Sequence, residues 1–79
     1  MRNIEWNTED LTREEIARYF GMGVARDGEK WIAHIMSGGK SAALAHCRAR
    51  AAGAWDANER ESHAVHRSLA SLIESGEVV

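Results

Sequence analysis

The sequence predicts a small α+β domain, ordered as helix, β-hairpin and two helices, and it allows a short strand at the N-terminus. Three observations carry that reading. Thr12 and Glu15 are spaced as a helix capping box, Asp27-Gly28 is a hairpin-turn dipeptide between β-favouring segments, and the residues around Leu69 follow an amphipathic helical period. An all-α domain of three to four helices is the alternative, and it turns on residues 22–36. At 79 residues the chain reads as one globular domain over 1–79, with 76–79 as a loose C-terminal tail.

Each element follows from local chemistry. Ile4 and Trp6 alternate with Glu5, the two-residue period of a strand. The Thr12 hydroxyl can accept from the Glu15 backbone N–H, and the Glu15 carboxylate can reach back to the Thr12 N–H. Leu11 and Ile16 stand at the positions of a hydrophobic staple. A helix over Arg13 to Phe20 follows, with Ile16, Ala17, Tyr19 and Phe20 as its inner face and Gly21 as its stop.

Residues 22–36 read two ways. As a hairpin, Asp27-Gly28 forms a type I′ turn, and Trp31, Ala33 and Ile35 share one strand face. As a helix, Asp27 is the N-cap and Trp31, Ile32, Ile35 and Met36 line up. Turn chemistry and β-favouring residues put the hairpin first. Beyond Ser37-Gly38-Gly39, a helix over 41–52 carries Leu44, Cys47 and Ala51 as its buried stripe, with Ala42, Ala49 and Gly53 leaving a flat opposite side. Asp56 and Glu59 would cap a last helix over 57–75, whose inner face is Val65, Leu69, Leu72 and Ile73. Trp55 at the junction reads as a packing anchor, and Gly76 ends the helix.

Composition excludes several classes. Ten Lys and Arg against twelve Asp and Glu give a net charge of -2, too balanced for a general nucleic-acid coat. No apolar run is long enough to span a bilayer, and no secretory signal is visible. The single cysteine, Cys47, forms no internal disulfide and suits a reducing, cytoplasmic setting. Thirteen alanines, and eight arginines against two lysines, suggest the GC-rich codon usage of a bacterium or its phage.

Motifs for catalysis or cofactors are incomplete. Gly38-Gly39-Lys40-Ser41 ends like a phosphate-binding loop, but His34 stands where the first glycine belongs. What survives is a glycine turn feeding a helix start beside Lys40, an anion-favouring arrangement. His63 and His66 are three apart on one helix, yet no paired cysteines complete a zinc pattern. Cys47 lies on an apolar stripe, where a thiol behaves as a small hydrophobe. No nucleophile, base and orienter assemble, so the sequence implies no enzyme, no metal and no cofactor.

Charge is distributed in blocks. Residues 1–21 carry -2, residues 22–52 carry +3 and residues 53–79 carry -3. The basic middle supplies the candidate partner-binding residues: Lys40 as anion contact, Arg48 and Arg50 beside it, and Arg26 and Lys30. With three tryptophans, these features point to a non-enzymatic protein-interaction module, monomeric or homodimeric. Its expected partner is a bacterial protein or nucleoprotein complex. A phage- or mobile-element-encoded inhibitor, of the size class of anti-CRISPR proteins, would block a partner's nucleic-acid-binding or active surface.

The alternative is a small DNA-binding regulator. Glu14-Glu15-Ile16-Ala17-Arg18-Tyr19-Phe20-Gly21-Met22 resembles the first helix and turn of a helix-turn-helix domain, with small Ala17 and Gly21 four apart. The recognition helix this resemblance implies would run through Asp27-Gly28. A hairpin leading through a Gly/Lys/Ser turn to an alanine-rich helix is also similar to double-stranded-RNA-binding domains, though Lys40 alone stands where they carry a basic run.

Overall fold

The first helix, α1 (Arg13–Phe20), starts where the capping box places it. Thr12 Oγ1 accepts from the Glu15 N–H at 3.1 Å, and Glu15 Oε1 accepts from the Thr12 N–H at 2.8 Å. The computed structural model describes residues 10–78, and the strand expected at residues 4–6 lies outside them. Three further helices follow: α2 (Ala25–Met36), α3 (Lys40–Asp56) and α4 (Arg60–Ser75). Among the described residues there is no strand, so the α+β expectation is corrected to an all-helical fold.

The correction falls on residues 22–36. Asp27-Gly28 does not turn the chain; both residues lie in the first turns of α2, and the Asp27 and Gly28 N–H groups donate to Val24 O. Gly28 serves packing. A Cβ placed there would lie 1.6 Å from Ala17 O, so only glycine lets the α1 and α2 backbones touch. Gly21 makes the same contact from the other side, where a Cβ would sit 2.0 Å from Val24 O. The reversal itself uses Met22 and Gly23, at φ 54 and 99. Long-range packing overrode the local turn preference of the dipeptide.

α2 buries Gly28 and Ile32 and half-buries Ile35 and Met36, a helical stripe. The Arg13 guanidinium meets the Glu29 carboxylate at 2.8 Å and pins the start of α1 to α2. α3 and α4 form a long antiparallel hairpin. α3 runs past the expected end at 52 to Asp56, so Asp56 is no cap of the next helix; Asn58, at φ 60, takes the turn. Gly76 closes α4 in the left-handed conformation, as the sequence implies.

The two helical pairs meet over one core. Ile16, Ala17, Ile32, Cys47, Val65, Leu69 and Ile73 are buried in it. Val78 is buried there too, so the described part of the expected tail folds back rather than trailing off. The Leu11 N–H donates to the buried Ser68 Oγ at 2.9 Å and ties the entry of α1 to α4. Two expectations about packing are corrected. Tyr19 stays partly exposed at the rim of α1, and Trp55 is 52% exposed beside His63 instead of anchoring the core. No helix of the described residues is long and apolar enough to cross a membrane.

Candidate functional site

Where the two helical pairs join, their side chains leave a cleft of about 700 Å³. That is within the roughly 300–1,000 Å³ of pockets that hold small ligands or anchoring side chains. Each wall is a helical spacing. α2 contributes Trp31, His34 and Ile35 at i, i+3 and i+4; α3 contributes Ala42, His46 and Arg50 at four-residue intervals. Tyr19 and Phe20 close one end from the last turn of α1, and His66 of α4 lies at the base. Ala42, with its single methyl, keeps the α3 wall open.

The lining is aromatic and lacks any carboxylate. Trp31 is 55% exposed, so much of its ring remains uncovered. His34 meets it edge-on at 6.2 Å between centroids. Tyr19 packs edge-on against Phe20, and Phe20 edge-on against His66, both at 5.5 Å. These T-shaped contacts hold the rings in place before anything binds.

His66 is the buried polar group of the site, with 3% of its surface exposed. Its Nδ1 donates to the Ser62 carbonyl, one turn back on α4, at 2.8 Å. Burial pushes its pKa below the ordinary 6.5, and the charge of Arg50 and the nearby His46 push it the same way, while the Ser62 bond works against them. The imidazole is therefore neutral at pH 7, with its proton on Nδ1 and a lone pair on Nε2.

The five cations singled out in the sequence do not form one patch. Only Arg50 lines the cleft. Arg48, two residues earlier on α3, is rotated about 200° away and pairs with Glu74 at 3.2 Å. Lys40 Nζ, at the start of α3, lies 3.5 Å from the carbonyl of the same Glu74. Arg26 and Lys30 are exposed on α2, and Lys30 lines a second recess that shares Trp31 and His34 with the main cleft and also holds the Asp27 carboxylate. Thus Arg50 borders the aromatic cleft, Lys30 shares its own recess with Asp27, and Arg48 and Lys40 serve the α3–α4 contact.

His63, three residues before His66 in sequence, has its Nδ1 3.1 Å from the Ala51 carbonyl. No group of three or more potential metal ligands occurs among the described residues. Trp31, Tyr19, His46 and His66 were not selected as site residues from sequence. The signal was present in the helical reading of residues 22–36, which puts Trp31 and Ile35 on one side of α2. The chain matches no family model, no curated protein and no solved structure.

Proposed function

We propose that this chain is a non-enzymatic protein-interaction module, and that its cleft seats an aromatic side chain of a partner protein flanked by acidic residues. The observation that supports this most is the exposed Trp31 on the wall of a carboxylate-free cleft that Arg50 also lines. Tryptophan and arginine are the residues that most often dominate binding energy at interfaces. The Arg50 guanidinium favours an acidic segment and disfavours a basic one. The reading also fits the cytoplasmic setting that one unpaired, buried Cys47 suggests. Occupying such a segment would mask the partner surface carrying it, the way an inhibitor of this size would act on a bacterial complex.

Selection from random displayed linear peptides tests this. Enriched peptides should carry an aromatic residue beside Asp or Glu. Trp31→Ala should weaken them at least about 30-fold, the loss of a residue worth about 2 kcal/mol. Arg50→Glu should weaken acidic peptides more than neutral ones. Enrichment of basic peptides, or binding indifferent to Trp31→Ala, would count against the proposal.

A second reading, DNA binding by a helix-turn-helix unit, is favoured by one observation. α2 runs unbroken through Asp27-Gly28, and Gly28 seats it on Ala17 of α1. Arg26 and Lys30 would then meet phosphate. Band-shift assays at two salt concentrations distinguish the readings: phosphate contacts make affinity fall steeply with salt, whereas a protein-docking module leaves DNA unshifted.

A further inference from the structure

We propose that the partner's anchoring residue is a tryptophan or tyrosine, one whose ring carries an N–H or O–H that donates to His66 Nε2 at the base of the cleft. This deepens the docking reading above and rests on it.

The two ring nitrogens of His66 have different roles. Nδ1 faces the Ser62 carbonyl at 2.8 Å, which can only accept, so Nδ1 carries the proton; the Ser62 hydroxyl lies farther off, at 3.3 Å. Nε2 of the neutral ring is then an acceptor. No described residue hydrogen-bonds it, although only 3% of His66 is exposed. Among the described residues, no fully buried side-chain nitrogen or oxygen lacks a partner. Nε2 therefore keeps a little contact with solvent, and His66 is one of the residues that line the cleft.

A dry apolar ligand seated there would strip that contact and leave a buried acceptor unpaired, which is costly. A ring with a donor at its edge satisfies it. The other walls set the rest of the ligand's chemistry. Phe20, Tyr19 and the exposed Trp31 offer aromatic surface, and Arg50 a cation for a flanking carboxylate. Phenylalanine or leucine would fill the apolar volume and leave Nε2 without its bond. Tryptophan and tyrosine satisfy both demands.

The test compares two peptides differing in one atom group. One is acetyl-Glu-Trp-Glu-amide; the other carries 3-benzothienylalanine, in which sulfur replaces the indole N–H. NMR titration of the full chain should show the tryptophan peptide binding about fivefold tighter, the usual net worth of one neutral hydrogen bond. In His66→Phe that preference should vanish while the apolar contribution remains. If His66→Phe does not fold, the ¹⁵N shift of Nε2 in the unaltered protein gives the same answer. It should move downfield with the sulfur peptide, which strips Nε2 of its solvent hydrogen bond, and far less with the tryptophan peptide, which replaces that bond. Equal affinity for both peptides would overturn the donor assignment while leaving the docking cleft intact. Binding of neither would overturn both.

Discussion

Gly28→Ala should destabilise this protein substantially, although alanine is the better helix former. In a free helix the exchange gains about 1 kcal/mol. In α2 the added Cβ would lie 1.6 Å from Ala17 O, 2.3 Å from Ala17 C and 2.7 Å from Ala17 Cα. These are backbone atoms of α1, so no rotamer change relieves the clash. The helices must separate by more than an ångström, at the upper end of the roughly 1–3 kcal/mol that overpacking costs, or beyond. The net loss is about 2 kcal/mol, a fall in Tm of about 8–16 °C for a domain of this size. Gly53→Ala is the control. Gly53 lies inside α3 with nothing within 4 Å of where its new methyl would stand, so the same exchange should stabilise by about 0.5–1 kcal/mol. Thermal and urea denaturation followed by circular dichroism measure both. A Gly28→Ala protein as stable as the parent would refute the close crossing of α1 and α2.

Other expectations follow from single groups. Thr12→Ala removes the acceptor for the Glu15 N–H and should cost about 1 kcal/mol in the same denaturation assay. Because burial holds His66 below the ordinary 6.5, the unfolded chain takes up that proton first as the pH falls. The stability from neutral, buried His66 is thus complete above about pH 6.5 and lost as pH falls through the folded pKa. Urea titrations from pH 7.5 to 5 should therefore show a steeper decline for the parent than for His66→Phe, and parallel curves would contradict this. Burial also pushes the Cys47 thiol above its ordinary 9.0. Its labelling by a thiol reagent in native buffer should be slow and should accelerate with urea in step with unfolding. Labelling at the rate of a free cysteine would show Cys47 to be accessible.

Local signals in the sequence located the start of α1 and the end of α4, but not the end of α3 or the start of α4. The capping box starts α1 where Thr12 and Glu15 say it must, and Gly76 stops α4 in the left-handed conformation. Both are short-range, satisfied within one turn of chain. The inner faces of α3 and α4 were legible for the same reason: Cys47, Ala51, Val65, Leu69 and Ile73 fall at helical intervals and are buried, although Leu44 and Leu72, expected with them, are only half-buried. Asp27-Gly28 was misleading because glycine has two uses. It can supply a turn, or it can let two backbones touch, and only the position of Ala17 in space distinguishes them. Once residues 22–36 are helical, Trp31 moves from a sheet face to the wall of a cleft. The basic middle was equally ambiguous: a block of positive charge in sequence became two groups, because Arg48 and Arg50 point to opposite sides of α3. His66 was visible as a residue, but its role depends on Ser62, Phe20 and His46 converging around it.

The most direct measurement of the docking account uses the indole N–H signals of ¹⁵N-labelled protein. Trp31 lies on the cleft wall, and Trp55, similarly exposed at 52%, sits at the far end of α3 and serves as an internal control. On adding unlabelled acetyl-Glu-Trp-Glu-amide, the Trp31 indole peak should shift progressively, the signals of Tyr19, His46 and Arg50 should follow, and the Trp55 peak should stay in place. Movement of Trp55 with Trp31 unmoved would place the binding surface elsewhere and contradict the account.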